Sequence, residues 1–344
     1  MKKCLGCGVT LQVDNPIAPG YVKSLEQDYC MRCFRLSHYD DLMIDMKDDI
    51  DPQMILDKIK TYQDTAVVMV VDILQLSSKI NALIFKELVD MPMIVIINKL
   101  DLIPDNAYFP KVEEYIIREL KSKAKNNQIL DVILTNIHDN NLNRIFYDDI
   151  TDLDYQKYLF IGLANAGKSS ILNKLLKKNL TASRYPGTTL DFNEMIVDDY
   201  LFVDTPGLVD NGNIMMHLYP EELKKIFPKK TFKPVVFQIW ENQTYFIENF
   251  IRLDVYLKNK GSVVFYLDNA VDIHRVKTAR ADDYVRRNPQ IFDTDFEDQE
   301  LCFENLNNHD LAINGLGFIS FRHVDKVVIN LPKGVEVTKR KVLL

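Results

Sequence analysis

The chain has 344 residues, 47% of them hydrophobic and 26% charged, with a net charge of −7. That length exceeds one ordinary core and implies two or three domains, while the hydrophobic share excludes wholesale disorder. No apolar run approaches the roughly 20 residues of a membrane helix, and Met1-Lys2-Lys3-Cys4 is not followed by the apolar core of a secretory signal, so a soluble cytoplasmic protein without membrane contact is expected.

The charge is uneven. Residues 221–344 carry 19 Lys/Arg against 18 Asp/Glu, so the negative excess lies in the first 220. Global charge therefore does not predict nucleic-acid binding, and only a local basic patch in the C-terminal third would support it.

The first element is a pair of cysteine pairs, Cys4-x2-Cys7 and Cys30-x2-Cys33. Each pair can bend into a knuckle that offers two thiolates to one Zn²⁺. Gly6 and Gly8 give the backbone freedom for such a turn, and Arg32 would offset thiolate charge. Four free thiols or a redox pair is the alternative; disulfides suit a cytoplasmic chain poorly. Four cysteines leave no open position for substrate, so the zinc would be structural. About 45 residues build little core, and the metal would supply the stability. Cys302 stands alone and is expected to be an ordinary core residue.

Asp51-Pro52 starts a predicted helix through Tyr62. Ala66 to Val71 is a β-branched apolar run ending in Asp72, as a buried parallel strand would. Asn81 to Val89 is predicted helical. Pro92 to Ile97 is a second buried strand, running directly into Asn98-Lys99-Leu100-Asp101. A carboxylate at Asp101 can accept from both the N1–H and the exocyclic amine of guanine. Adenine offers no such pair, and a site built to pair polar groups rejects a ligand that leaves them unpaired. Asn98 and Lys99 would brace the loop and cover the base. Tyr108 to Ala124 is predicted helical, and Ile129 to Leu134 is a third strand ending in Thr135-Asn136. That loop is where guanine-binding proteins carry a Ser-Ala-type sequence whose backbone contacts the guanine oxygen; Thr135-Asn136 departs from that pattern, and backbone contacts tolerate the change.

Tyr158 to Ile161 precedes Gly162-Leu163-Ala164-Asn165-Ala166-Gly167-Lys168-Ser169, and Ser170 to Lys177 follows as a helix. This is G-x-x-x-x-G-K-[ST] in its strand–loop–helix setting. The glycines let the backbone approach phosphate, and the helix N-terminus offers N–H groups and positive dipole to it. The nucleotide contacts expected here run from Asn165 and Ala166 through Gly167, Lys168 and Ser169 to Ser170. Lys168 would reach the β- and γ-phosphates, and Ser169 would ligate Mg²⁺.

Tyr185-Pro186-Gly187-Thr188-Thr189 occupies the place of a switch I loop, where a threonine can ligate Mg²⁺ and sense the γ-phosphate; of Thr188 and Thr189, it is Thr189 that the family resemblance set out below implies for this role. Asn193 to Val197 and Tyr200 to Val203 are predicted as a hairpin pair. The second runs into Asp204-Thr205-Pro206-Gly207, a D-x-x-G element. Asp204 would hold Mg²⁺ through water, and the Gly207 N–H would read the γ-phosphate. Lys168, Thr189 and Gly207 are the expected catalytic set.

The guanine motif thus precedes the phosphate motif. Cys4-x2-Cys7 and Cys30-x2-Cys33, Asn98–Asp101, Gly162–Ser169, Pro186–Thr189 and Asp204–Gly207, in that order, resemble the YqeH family of circularly permuted GTPases. Gly315-Leu316-Gly317-Phe318 is similar to a late element of that family, with Phe where Trp is usual. The resemblance covers essentially the whole chain. It implies a GTPase switch in ribosome biogenesis, bound to the small ribosomal subunit or its precursor and to ribosomal RNA, as a monomer. Leu208 follows the D-x-x-G element where many GTPases carry a water-orienting glutamine. An apolar side chain cannot do that task, so hydrolysis without a partner or ion should be slow. Asn165 sits where some GTPases with an apolar residue at this point use Asn to bind K⁺, so K⁺ joins GTP/GDP, Mg²⁺ and Zn²⁺ as an expected cofactor.

The fold class expected is α/β: a circularly permuted P-loop GTPase domain over 46–215, a four-cysteine zinc module over 1–45, and a β-rich α+β C-terminal domain over 216–344. In that last third, His217 to Phe227 is predicted helical. Strands are predicted at Pro234–Gln238, Thr244–Phe250, Leu253–Leu257, Val263–Leu267, Leu311–Ile313, Phe318–Phe321, Lys326–Leu331 and Val335–Thr338. His274 to Tyr284 is predicted as a basic helix and Asp293 to Glu300 as an acidic loop. His274, Arg275, Lys277, Arg280, Arg286 and Arg287, with Tyr284, form a basic cluster suited to RNA or simply to solvent. His38, His138, His217, His309 and His323 show no metal spacing. The competing functions are a P-loop ATPase or kinase, against which Asp101 argues, and a nucleotide-dependent scaffold or RNA-binding protein with little intrinsic hydrolysis, which Leu208 keeps open.

Overall fold

A computed structural model describes residues 2–5, 8–14, 20–22, 24–30, 51–136, 138, 142, 146, 153, 155–176, 191–197, 199–218, 220–228, 230–291 and 297–344. The chain forms two compact units. One comprises Met1–Leu100 and Arg118–Asp210, the other Asp101–Ile117 and Asn211–Leu344.

The first unit is built on β1 (Thr65–Asp72), β2 (Met93–Asn98), β3 (Ile129–Leu134), β4 (Lys157–Ile161), β5 (Asn193–Val197) and β6 (Tyr200–Asp204). Among the described residues their order is β3-β2-β1-β4-β6-β5, parallel except where β5 runs antiparallel to β6. Every residue of β1 and β2 is buried. A parallel strand covered on both faces needs such an unbroken apolar run. Helix α1 (Pro52–Lys60) starts on Asp51, whose carboxylate accepts from the Gln53 N–H (2.9 Å), and buries Ile55, Leu56 and Ile59. Helices α2 (Lys79–Glu87), α3 (Phe109–Lys123, of which the residues up to Ile117 belong to the second unit) and α4 (Lys168–Leu176) follow. Phe146, Tyr158, Phe160 and Phe202 pack as one aromatic group with centroids 5.8–6.5 Å apart.

Register brings the chemistry to one edge. Asp72 pairs with Asn98, Met69 with Ile161, and Phe160 with Asp204. The carboxyl ends of β1, β2, β4 and β6 therefore carry Asp72, Asn98, Gly162 and Asp204 at neighbouring levels, the edge where open α/β sheets bind ligands.

The second unit is a β-sandwich. One sheet orders β16 (Val337–Lys341), β13 (His309–Ile313), β14 (Gly317–Arg322), β10 (Gly261–Tyr266) and β7 (Val235–Ile239). The other orders β11 (Ile273–Lys277), β8 (Gln243–Ile247), β9 (Ile251–Tyr256), β15 (Lys326–Pro332) and β12 (Asp298–Glu304). Their faces meet at Tyr245, whose ring lies 5.1 Å from both Phe237 and Phe265.

Four expectations fail here. His274 to Tyr284 is not one helix. It is strand β11, a short 3-10 turn at Thr278–Arg280, and α6 (Ala281–Arg287). Pairing of β11 with β8, at the edge of the sheet, overrides a weak helical pattern. Asp298 to Glu300 belong to strand β12, whose acidic residues point outward along an edge while Leu301 and Phe303 turn inward. Cys302 shares that outer face and is exposed, so it is not a core residue. His217 to Phe227 also divides, into a 3-10 turn at Ile214–His217 and α5 (Pro220–Ile226), because proline starts helices better than it continues them.

Candidate functional site

The phosphate loop is shaped by contacts only glycine allows. A Cβ on Gly162 would lie 2.1 Å from the Val70 carbonyl oxygen, so its absence lets β4 run hard against β1. Gly167 has φ +99°, and a Cβ there would lie 2.2 Å from Asn98 Nδ2. Asn165 adopts φ +64°, which Asn tolerates better than most residues. The Ile171 N–H then donates to the Gly167 carbonyl (2.9 Å), opening α4.

Lys168 lies folded into this loop. Its ammonium donates to the Gly162 and Leu163 carbonyls (3.1 and 3.2 Å). Burial pulls its pKa down to about 8, and the negative charge of Asp204 works against that fall. Ser169 Oγ donates to Asp204 Oδ2 (2.8 Å), with both residues buried. Ser170 follows on α4, half-buried. A hydroxyl and a carboxylate at contact distance form an all-oxygen set that fits Mg²⁺.

The guanine motif is tied to the phosphate motif. Asn98 Nδ2 donates to the Ala166 carbonyl (2.9 Å). Lys99 takes φ +64° and its ammonium pairs with Asp72 Oδ2 (2.7 Å). Asp72 also accepts from the Leu74 N–H (2.9 Å), so a side chain passed over as a mere strand end holds the lysine. An acidic residue closing a buried parallel strand was the available signal. The Thr135 N–H donates to the Ile97 carbonyl (2.9 Å) and the Leu100 N–H to the Thr135 carbonyl (3.3 Å). Asn136 Oδ1 accepts from the His138 N–H (2.8 Å), which shapes the turn after Thr135. Asp101 belongs to the second unit, where its carbonyl accepts from Thr231 Oγ1 (2.8 Å).

The D-x-x-G element is zipped onto the phosphate loop. The Leu208 N–H donates to the Gly162 carbonyl (3.1 Å), and the Ala164 N–H to the Leu208 carbonyl (2.9 Å). A Cβ on Gly207 would meet Ala164 Cα at 2.9 Å. Thr205 Oγ1 donates to the Phe160 carbonyl (2.8 Å). The Leu208 side chain is fully buried, so the residue after Gly207 cannot orient an attacking water.

Cys4 and Cys30, one from each pair, are buried side by side, and the Cys30 N–H donates to Cys4 Sγ (3.2 Å). The Cys4 N–H donates to the Val9 carbonyl (2.9 Å) and the Gly8 N–H to the Cys4 carbonyl (3.0 Å), which closes a tight turn. Such a turn and paired sulfurs suit a zinc knuckle. Cys7 and Cys33 lie outside the described residues, as do Thr188 and Thr189. Among the described residues no group of three or more His, Cys, Asp or Glu is placed to hold a metal, and no helix is long and apolar enough to cross a membrane.

The basic cluster is partly neutralised. Lys277 pairs with Glu241 (2.8 Å), and Arg286 with Asp283. His274 stacks on Tyr284 with ring centroids 4.3 Å apart.

A family model described as "50S ribosome-binding GTPase" matches residues 157–255, starting on the strand that leads into the phosphate loop. The chain is 31% identical to YqeH of Bacillus subtilis (strain 168), described as uncharacterized, over 99% of each chain. It is 23% identical to NO-associated protein 1, chloroplastic/mitochondrial, of Arabidopsis thaliana, over 99% of this chain and 76% of that one. The tRNA modification GTPase MnmE of Borrelia garinii subsp. bavariensis is 33% identical over 36% of this chain and 27% of its own length.

Proposed function

The chain belongs to the YqeH-type GTPases, and on that premise we propose that it is a GTP-controlled switch in the assembly of the small ribosomal subunit. In this reading the GTPase domain is circularly permuted, with zinc stapling the N-terminal module and the C-terminal sandwich meeting ribosomal RNA. The protein acts in the cytoplasm as a monomer. Support for the permutation is the motif order in the chain against the strand order in the sheet. Support for the zinc is the buried Cys4–Cys30 pair.

The chain's own residues divide the work. Amides of the phosphate loop and the Lys168 ammonium bind the phosphates. Asn98 fixes that loop through Ala166, and Asp101 selects guanine. Bound Mg²⁺, on Ser169, Asp204 and Thr189, would neutralise charge on the β- and γ-phosphates. The Gly207 N–H reads the γ-phosphate.

One observation carries the switch. The segment just after the D-x-x-G element is stitched into the C-terminal sandwich. The Ile214 N–H donates to the Asn314 carbonyl (2.9 Å), and the Glu336 N–H to the Gly212 carbonyl (2.8 Å). Asn213 caps the Ile214–His217 turn and rests on Gly315, where a Cβ would lie 1.9 Å from its Oδ1. Gly315 has φ +84°, so the late Gly315-Leu316-Gly317-Phe318 element serves as a seat for the outgoing switch II chain. Gly315→Ala is expected to leave GTP affinity within about twofold, since distant sites act independently, and to abolish the difference between GTP and GDP in cosedimentation with small ribosomal subunits. Nucleotide-independent sedimentation of the unaltered protein would remove the switch, and association with large subunits instead would remove the subunit assignment.

The buried Leu208 favours a second reading, a scaffold with little hydrolysis of its own. Asn165 stands left-handed in the phosphate loop, and in this reading its amide oxygen, the only atom of that side chain able to ligate a cation, holds K⁺ as the missing activator. GTP turnover is expected to rise at least about tenfold in K⁺ over Na⁺, within the range one added cationic group supplies. Equal rates would leave the scaffold.

A further inference from the structure

Asp101 is the guanine-reading carboxylate in the function proposed above, and the following rests on that assignment. Its main chain is held from far along the sequence, within the same compact unit. Thr231 Oγ1 donates to the Asp101 carbonyl (2.8 Å), and the Phe232 N–H donates to the Leu102 carbonyl (2.9 Å). Phe232 and Leu102 are both buried, so this second bond is shielded from water.

Thr231 is itself pinned. Asn269 Nδ2 donates to the Thr231 carbonyl (3.2 Å), while Asn269 Oδ1 accepts from the Lys233 N–H (3.0 Å). Asn269 stands in the turn that leaves β10. Asp268 shapes that turn, accepting from the Ala270 N–H on its side chain (3.0 Å) and from the Val271 N–H on its carbonyl (3.1 Å). A continuous polar chain thus runs from the turn of the C-terminal sandwich, through Asn269 and Thr231, to the peptide of Asp101.

Guanine selection makes a particular demand on that peptide. The Asp101 carboxylate must present two oxygens at once to an N1–H and an amine. A side chain of one rotatable stem can do so only if its Cα and carbonyl are fixed, because sub-ångström errors weaken paired hydrogen bonds. A carbonyl bonded only to water would leave the loop free to turn. A purely structural contact would need any group that fills the space. The observed one uses a hydroxyl aimed at the carbonyl of the specificity residue itself.

We propose that Thr231 is a positioning residue for guanine recognition, set in place by Asn269, so that the turn after β10 is part of the base-specificity apparatus. The proposal makes base selection sensitive to whatever engages that turn of the sandwich.

The test measures affinities of the full-length protein for fluorescent GDP, IDP and XDP. IDP keeps the N1–H but lacks the amine, so the GDP-to-IDP ratio reports how well both Asp101 oxygens are placed. Thr231→Val is expected to weaken GDP about tenfold and to shrink the GDP-to-IDP ratio towards one. Thr231→Ser should restore both, and Asn269→Ala should shift the ratio in the same direction as Thr231→Val. An unchanged ratio in Thr231→Val overturns the proposal. So does an equal loss of GDP and IDP with a lowered melting temperature, which is what a merely structural threonine would give. Asp101→Asn tests the underlying assignment separately. It should move preference from GDP to XDP, whose carbonyl replaces the amine. Failure of that exchange would remove Asp101 as the guanine reader whatever Thr231 does.

Discussion

Lys168→Met is expected to abolish GTP and GDP binding and, at neutral pH, to raise the melting temperature of the nucleotide-free protein. The two effects have one cause. Without phosphate, the Lys168 ammonium is buried against the Gly162 and Leu163 carbonyls, and burial pulls its pKa down to about 8. A solvated lysine titrates near 10.5. The folded protein therefore holds its proton less tightly than the unfolded chain does. Below the folded value the protonated group is at its most destabilising, by on the order of 3 kcal/mol. That cost fades as pH rises from the folded towards the unfolded value, where both states are neutral. Methionine carries no such charge and fills similar volume. Thermal melts without nucleotide or Mg²⁺ should show Lys168→Met about 5 °C or more above the unaltered protein at pH 7, with the gap closing between pH 8 and 10.5. A destabilised variant at pH 7 would mean that the two carbonyl bonds outweigh the cost of burial. Phosphate restores the lysine's full charge, so nucleotide binding should take up a proton near pH 8 and weaken as pH rises through that region.

Gly167→Ala should weaken GTP and GDP binding by roughly a hundredfold or more, the scale of an ångström-level displacement in a site. An added Cβ would stand 2.2 Å from Asn98 Nδ2. The amide must swing away, and its bond to the Ala166 carbonyl goes with it. The alanine must also hold φ +99°, which costs an L-residue about 1–2 kcal/mol. One methyl group therefore disturbs both the phosphate loop and the guanine loop. Asn98→Ala removes the clash but not the backbone strain. Titration of the two single variants and the double variant with fluorescent GDP should show strong coupling, the double being far less than the product of the singles. Additive losses would mean that Gly167 matters for its backbone alone.

The sequence is readable wherever one residue type has one physical use. An unbroken apolar strand such as β1 or β2 can only be buried, and a glycine between strand and helix can only be a close approach, so Asn98, Gly162, Lys168 and Asp204 are legible. What escapes is partnership between distant residues. Asp72 reads as the end of a strand until Lys99 is seen on it. Thr231 and Asn269 read as ordinary loop residues until their carbonyl and amide partners appear. The C-terminal third is least legible for a related reason. Its edge strands β11 and β12 carry exposed charges at Arg275, Lys277, Asp298, Glu300 and Glu304, so their strand character comes from the neighbouring backbone and leaves little trace in hydrophobic spacing.

The strand order also sets a timetable for synthesis. Strands β1, β2 and β3 emerge and can pair early, but one edge of β1 waits for β4, since Thr65 pairs with Lys157. Until then the fully buried Val67–Val71 run is a bare, sticky flank of a half-built sheet. The guanine loop is made before any phosphate loop exists, so nucleotide cannot rescue that nascent half. Closure of this long loop should be the slow step of folding, and chains halted before β4 are the ones that should need a chaperone.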